Sequence, residues 1–454
     1  MGSSTSQRII GGGFIGGNLP VGATFRRKGP GGYVVDLAIT GLGAVSPIGV
    51  SADELCDNLL AGRIGIRTAP WAAQDGGDLY GAVDDAFDPN RWMDERVVAG
   101  TDGFSRFALA ACNQAIADAG LESADLDGQR TGVVHGTSMG GHFSVARAQW
   151  DFDRGGGGAI DPKTQIKIWP NMAAAQICMA HDLHGPSLTV TTACASSLDA
   201  LGTAAMYLES GRADVVLVGG TEGGYTCDPG QEHFQAAVNA AEQSYGMSSG
   251  PTDPSRAMLP FAADRAGIVS GEGSAFFVLE TEDHARSRGA SIRGWLRGYG
   301  SLADAHHPSS PEPEGRWEQL VMEQAQASAG IAPAAVDALV AHATGTPKGD
   351  TAEIRALNRV FVANDDLVVT GLKGHTAHTG ASSGAMNIMA GLRAMDQGRL
   401  VNVAGTTVLD PEIEFDVVIH EPRAVDVGVL QVNSFGFGGQ NASVIIGREQ
   451  GPAR

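Results

Sequence analysis

Ser187-Leu-Thr-Val-Thr-Thr-Ala-Cys-Ala-Ser-Ser-Leu-Asp-Ala200 decides how this chain is read. β-Branched residues up to Thr192 favour a strand and the small residues that follow favour a helix, so Cys194 stands where one becomes the other. A helix's first turn carries unpaired N–H groups and the positive end of the peptide dipoles, and both stabilise a thiolate. A lone cysteine is more often just a small buried residue. Here the junction, together with His342 and His378 in Gly/Thr-rich turns of the kind that line a cleft, argues for a nucleophile.

On either side of this junction, strand and helix patterns alternate. Val34–Gly43 reads as a strand ending in a glycine turn, and Ser51–Gly62 as a helix capped by Ser51. Phe104, Phe107, Ala108, Ala111 and Ala115 fall on one face of a further helix closed by Gly120. Asp214-Val-Val-Leu-Val-Gly-Gly is apolar on both faces, as in a strand covered by helices on both sides, and Ala338-Leu-Val-Ala reads the same way. His306–Gly315 reads as a surface loop. Val35–Gly43 echoes Ile292–Gly300, and Gly132–Gly141 echoes Ala338–Gly349, the trace a duplication would leave.

Composition narrows the function. The chain has 454 residues, 43% of them hydrophobic and 18% charged, as in a folded globular protein. A net charge of −20 and 6% aromatic residues disfavour a nucleic-acid or anionic-membrane partner. The 5 cysteines include no CxxC pair, which fits a reducing cytoplasm better than a disulfide framework or a zinc site. No apolar run reaches the roughly 18 residues of a membrane span. The HxxH of His375 and His378 lacks further metal ligands, and Gly345-Thr-Pro-Lys-Gly-Asp lacks phosphate-loop spacing.

Four segments carry the chemistry: TACASS around Cys194, AHATGTPKGDTAE around His342, LKGHTAHTGASSG around His378, and NSFGFGGQNAS over Asn433–Ser443. In this order, joined by Pro260-Phe-Ala-Ala-Asp-Arg-Ala-Gly, Gly271-Glu-Gly and Gly219-Gly-Thr-Glu, they resemble the elongating β-ketoacyl synthases of fatty-acid and type II polyketide assembly. The likeness runs from Val34 to Gly447. It implies an α/β, thiolase-like αβαβα five-layer fold of two pseudo-repeated halves, each with a mixed sheet. The expected division is a flexible Gly/Ser-rich extension over 1–32, halves over 33–295 and 296–447, and a tail over 448–454.

The resemblance also implies roles. Cys194 would hold an acyl group as a thioester. His342 and His378 would stabilise the enolate formed when a malonyl thioester loses CO₂, with Lys373 tuning the pair through Glu353. The N–H groups of Cys194 and Phe437 would meet the oxyanion, Thr344 and Thr346 would bind the pantetheine arm, Phe435 and Phe437 would gate entry, and Met139 would bound the acyl pocket. The implied partners are an acyl carrier protein and either a second identical chain or a chain-length factor. Substrates arrive on the carrier's phosphopantetheine, so no metal, nucleotide or redox cofactor is expected.

Some positions depart from the pattern. Ala343 and Ala377 stand where such enzymes often have glycine, and Val238 stands where fatty-acid members often carry a carrier-docking arginine, which leaves Arg91, Arg96 and Arg106 as a substitute cluster. These departures lean toward a type II polyketide or specialised fatty-acid pathway. A thiolase needs a late second cysteine, and none follows Cys227. The alternative from another class is a non-catalytic chain-length-factor-like subunit, which typically lacks the nucleophile.

Overall fold

The structure, a computed structural model, describes residues 36–69, 78–227, 232–248 and 253–449. The expected extension over 1–32, most of the tail, and Asp228–Gln231 of the docking segment lie outside the described residues. The principal strands are β1 (Leu37–Val45), β2 (Thr131–Gly136), β3 (Ser187–Val190), β4 (Val215–Glu222), β5 (Gly273–Thr281), β6 (Gly294–Ala303), β7 (Ala338–Val340), β8 (Val368–Thr370), β9 (Asp416–Val417), β10 (Val429–Gly436) and β11 (Gln440–Gly447). The helices that matter here are α1 (Ala52–Leu60), α2 (Gly103–Asp118), α3 (His142–Gly155), α4 (Met172–His181), α5 (Ser196–Glu209), α6 (Arg316–Ala329), α7 (Pro347–Val360) and α8 (Ser383–Gln397).

The strands form one ladder in the order β9-β8-β7-β10-β11-β6-β1-β5-β4-β2-β3. Its centre is weak: β1 meets β6 over only Leu37–Ile39. Outward from that seam the two sides match. β1–β5 and β5–β4 are antiparallel, and β4–β2 and β2–β3 parallel. β6–β11 and β11–β10 are antiparallel, and β10–β7 and β7–β8 parallel. The sequence echoes therefore equate β1 with β6 and β2 with β7.

The same device seats a helix on each side. A Cβ at Gly41 or Gly43 would lie 2.0 Å from the carbonyl oxygen of Ala115 or Ala111 in α2, and one at Gly298 or Gly300 would lie 2.3 or 2.5 Å from that of Ala325 or Val321 in α6. The glycines of β1 thus do not form the turn read from the sequence; the strand runs on to Val45 and they let a helix backbone lie against it. α2 is buried on nearly every side instead of along one face, because the sheet lies beneath it and α4 packs beside it. Ser51 caps α1 as expected, accepting the N–H of Glu54.

Two helices, α5 and α8, carry the main core between them. Leu198, Leu201, Met386 and Met389 are almost wholly inaccessible and belong to one apolar cluster with Val218, Phe277 and Val432 of the strands. This pair fixes the turns at its N-terminal ends, which hold the chemistry.

Overpacking a backbone-to-backbone contact costs about 1–3 kcal/mol or more. Gly43→Ala and Gly300→Ala are each expected to lower the denaturant midpoint clearly, while alanine at the open position Gly62, already in the left-handed region, shows only its local backbone penalty. Equilibrium unfolding followed by circular dichroism checks this.

Candidate active site

Cys194 lies in a 3-10 turn, Ala193–Ala195, that runs into α5 at Ser196. Ala193 is forced to φ 50°, so the chain bends sharply before the thiol. The turn is tied down on both sides. Ser196 Oγ accepts from Thr192 N–H and donates to the carbonyl of Ala193, and Ser434 Oγ donates to the carbonyl of Cys194 at 2.7 Å. Gly436 must be glycine for this packing, since a Cβ there would lie 2.6 Å from the Thr192 oxygen and 3.3 Å from Cys194 N.

The histidines come from the other half of the ladder. His378 Nε2 lies 3.0 Å from Cys194 Sγ, and its Nδ1 is 3.1 Å from Ser383 Oγ at the start of α8. The His342 ring stands edge-on to that of His378, with centroids 5.6 Å apart, and 5.7 Å from the ring of Phe435. The Sγ atom and one nitrogen of each imidazole lie within 4.8 Å of one another. That donor set could also hold a soft metal ion.

Lys373 is buried and touches His342 directly: Nζ donates to its carbonyl and lies 3.4 Å from its Nδ1. Glu353 takes a different role from the relay expected, accepting the N–H of His342 at 2.9 Å and that of Ala343 at 2.7 Å. It holds the backbone of the turn, and Lys373 reaches the imidazole without it. A charged Lys373 makes Nδ1 of His342 an acceptor, which leaves Nε2–H to face the cavity.

Burial sets the protonation states. Desolvation pushes the Cys194 thiol up to about 11, against the lowering pull of Lys373 and of the backbone N–H groups of Phe437 and Cys194. The helix-end thiolate expected from sequence is therefore not the resting form, because the cost of a buried anion outweighs those donors. Desolvation first, then Lys373, holds both histidines well below the usual imidazole range, so both are neutral. Burial also lowers Lys373, and between that lowered value and the value of a free lysine the unfolded chain binds more protons. The cost of burying its charge is complete at low pH and fades as pH rises through that window.

A cavity of about 230 Å³ joins Cys194, His342, His378, Thr344, Thr346, Phe435 and Phe437. Thr344 and Thr346 face one another with their oxygens 2.8 Å apart, and Thr346 also caps α7. Phe437 is half exposed at the mouth, whereas Phe435 is nearly buried. Met139 is not among the residues that line this cavity, and it is 51% exposed. Nor does Arg106 join a surface cluster with the exposed Arg91 and Arg96; it is buried and donates to the Thr101 carbonyl at 2.6 Å. His375 is drawn away from the site, its two ring nitrogens 2.9 Å and 2.8 Å from the carbonyls of Arg63 and Asn402.

Sequence reading missed several parts of the site. Ser309–Pro311, expected to be surface loop, lines the cavity together with Asp304, Glu318 and Asn441. This loop anchors the glycine-rich mouth, since Gly438 N–H donates to the Pro308 carbonyl at 2.7 Å and Asp304 N–H to that of Gly439 at 2.7 Å. Buried Glu222 joins two turns by accepting the N–H groups of Ser138, Met139 and Ala381. No local signal marks that role, since a polar loop has the same composition on a surface and in a cavity wall.

A duplicated α/β fold with a cysteine on a strand-to-helix bend beside two neutral imidazoles defines a thiolase-like acyl-transferring enzyme. The chain belongs to the β-ketoacyl synthase family: the profile of that family's N-terminal domain matches residues 35–285, and that of its C-terminal domain residues 293–407. Among similar proteins is the 3-oxoacyl-[acyl-carrier-protein] synthase 2 of Coxiella burnetii, 32% identical over 91% of this chain and 98% of the relative. Its namesake in Staphylococcus aureus strain N315 is 33% identical over 90% and 97%. Of solved structures, the ishigamide ketosynthase/chain length factor superposes with a TM-score of 0.83 at 28% identity, covering 92% of this chain and 100% of that one. A β-ketoacyl synthase from Burkholderia phymatum STM815 gives 0.81 at 28% identity, with the same coverage. Among the described residues no helix is long and apolar enough to cross a membrane.

Two outcomes follow for this site. With the thiol near 11, the logarithm of the iodoacetamide alkylation rate at Cys194 should climb from about pH 6 to 9 without a plateau, and Lys373→Met should lower it most below about pH 8, where Lys373 carries the charge that favours thiolate. Ala343 and Ala377 hold φ 42° and 59°. Left-handed backbone costs a non-glycine residue about 1–2 kcal/mol, and glycine's added unfolded-state entropy offsets about 0.4–1 of that. Ala343→Gly and Ala377→Gly should each therefore raise the denaturant midpoint slightly.

Proposed function

We propose that this protein is a ketosynthase that condenses an acyl group held on Cys194 with malonyl-acyl carrier protein, giving β-ketoacyl-acyl carrier protein and CO₂. The observation that carries this reading is the 3.0 Å approach of His378 Nε2 to Cys194 Sγ, with the His342 ring beside it in one cavity. Neutral His378 accepts the thiol proton as sulfur attacks the incoming thioester. The tetrahedral oxyanion is met by the N–H groups of Cys194 and Phe437, and the departing pantetheine sulfur takes the proton.

In the second half-reaction the bond between the malonyl carboxylate and its α-carbon breaks. The electron pair forms an enolate whose oxygen accepts from Nε2–H of His342 and from His378, whose Nε2 has taken up a proton from solvent between the two half-reactions, and the carbon attacks the Cys194 thioester. Collapse expels the cysteine sulfur, which takes the proton that His378 holds, and leaves the β-ketoacyl chain on its carrier, the CO₂ having departed when the carboxylate bond broke. Thr344 and Thr346 would hold the pantetheine arm and Phe435 and Phe437 would gate it. The reaction needs no metal, nucleotide or redox group, since the chemistry resides in the carrier-bound substrates.

An acyl carrier protein is the partner this reading requires. Dimerisation is supported by β3, an edge strand whose Leu188 is exposed, flanked by exposed Met179, Met206 and Met139. The likeness to the ishigamide ketosynthase/chain length factor favours a polyketide-type setting, with the partner either identical or a chain-length factor. A division between β5 and β6, ahead of Gly294 and so just before the expected 295/296 boundary, is supported by the matched strand patterns. A chain-length-factor-like role for this chain itself is disfavoured by the presence of Cys194 and both histidines.

Incubation with acyl carrier protein loaded with different acyl groups, followed by intact-mass analysis, should show one acyl group retained on Cys194 and none in Cys194→Ala. Cys194→Ser should lower condensation at least about a thousandfold, or by more than 4 kcal/mol of activation free energy. Retention of no acyl group from any carrier would overturn the reading.

A further inference from the structure

His378 is held from behind by a line of buried side chains. Its Nδ1 lies 3.1 Å from Ser383 Oγ, Ser383 Oγ lies 3.1 Å from Thr379 Oγ1, and Thr379 Oγ1 lies 3.6 Å from the thioether sulfur of Met386. All four residues are buried. The line runs from the ring that faces Cys194 into the core at the start of α8, and the reaction proposed above gives Ser383, Thr379 and Met386 no role.

The supply of hydrogens fixes the direction of this line. A thioether accepts but has no hydrogen to give, so the contact at Met386 takes the one hydroxyl hydrogen of Thr379. Thr379 then meets Ser383 as an acceptor, which takes the one hydroxyl hydrogen of Ser383. Ser383 in turn meets the ring as an acceptor, so the hydrogen of a neutral His378 stands on Nδ1. The carbonyl of Thr379, to which a helical hydroxyl four residues on often turns, already accepts the N–H and the hydroxyl of Ser382 at 3.2 Å and 2.8 Å. The other side of the ring agrees. The N–H groups of Phe437 and Cys194 are directed at the sulfur, which leaves the hydrogen of the thiol itself for Nε2 at 3.0 Å.

We propose that Ser383 is a positioning residue that, with Thr379 and Met386 behind it, keeps the hydrogen of His378 on Nδ1 and so presents Nε2 to Cys194 as a bare acceptor. The inference rests on the acyl-transfer step proposed above, in which Nε2 takes the thiol proton. The same contact suits the later step: once Nε2 carries a proton, both ring nitrogens hold hydrogen, and Nδ1–H still has its acceptor in Ser383. His342 is fixed the opposite way, since Lys373 makes its Nδ1 an acceptor and leaves Nε2–H facing the cavity. Two rings of one residue type are thus set as a base and a donor by what stands behind each.

The test uses Ser383→Ala, which removes the acceptor, and Met386→Leu, which is similar in size and removes the sulfur. The tautomer of His378 is read from the ring-nitrogen NMR shifts of protein isotopically labelled at histidine, assigned by comparison with His378→Gln. Acyl loading of Cys194 is timed by intact mass in a single turnover. The wild type should carry hydrogen on Nδ1 and none on Nε2. In Ser383→Ala the hydrogen should move to Nε2 and loading should slow at least about tenfold. Met386→Leu frees the Thr379 hydroxyl to turn toward Ser383 and should shift the ring hydrogen in the same direction. A wild-type ring with its hydrogen on Nε2, a tautomer unchanged in either variant, or loading at the wild-type rate in Ser383→Ala would overturn the assignment. If wild-type Cys194 accepts no acyl group from any carrier, the ketosynthase reading fails, a result that the ring spectra, recorded without substrate, keep distinct from a failure at Ser383.

Discussion

Cys194, His342, His378, Lys373 and Glu353 are shifted first of all by loss of water, and only then by neighbouring charges or, for Glu353, by the N–H groups of Ala343 and His342. That single constraint determines what each group is at rest. A thiol held up near 11 does not oxidise as readily as a free thiolate would, and imidazoles kept neutral can each accept or donate one proton. In the proposed reaction the nucleophile forms only when a thioester enters and the proton passes to His378 across the 3.0 Å contact between Sγ and Nε2. Burial thus couples reactivity to occupancy. The charge of Lys373 opposes burial at the thiol, which it lowers, and reinforces burial at both imidazoles, so the site is biased toward anionic sulfur beside neutral rings without being committed to it.

Such burial is possible because a duplicated framework supplies two stacks of helix on sheet with almost no space between backbones. Gly41 and Gly43 under α2, and Gly298 and Gly300 under α6, remove the side chains that would hold strand and helix apart. The helices can then cover both sides of the ladder, and α5 and α8 meet in the middle. Gly436 applies the same principle at the site itself, letting β10 lie against the turn of Cys194 so that a backbone N–H can reach the sulfur. Glycine's entropic cost is accepted where an approach of this kind is required.

The chemistry was legible in the sequence because it demands particular residue types in short stretches. Cys194 on a strand-to-helix bend, His342 and His378 in tight turns, and the Phe-Gly-Phe-Gly-Gly mouth could each be read locally, and the order of the motifs carried the family. The strand echoes were legible too, since β1 with β6 and β2 with β7 occupy equivalent places. What depended on distant segments was not. The state of the thiol follows from burial by chain more than a hundred residues away. Glu353 and Lys373 could be paired in sequence, but only the fold shows that one holds the backbone of His342 and the other its ring. A polar loop reads alike whether it faces solvent or a cavity, so 306–315 gave no sign that Ser309–Pro311 forms a wall. Arg106 had the composition of a docking residue and the position of a core one.

Duplication also explains how one thiol comes to face two imidazoles. Each half ends its central parallel strands at the same edge of the ladder, and each places a 3-10 turn before its buried helix: Ala193–Ala195 before α5 and Gly380–Ser382 before α8. Because α5 and α8 pack together, those turns are adjacent, and residues beside them meet as Cys194 and His378 do. The loop after β7 then brings His342 to the same point, while its counterpart after β2, Thr137–Gly141, is held by Glu222 and turns Met139 outward. The strand ends of β3 and β8 thus both serve the site, whereas the equivalent loops after β7 and β2 differ, the first facing the cavity and the second presenting Met139 to the outside. The separation has a physical cause. An enclosed cavity can tolerate only as many polar groups as it can satisfy, and a second set of ionisable side chains at the same edge would raise the desolvation cost that already governs the first.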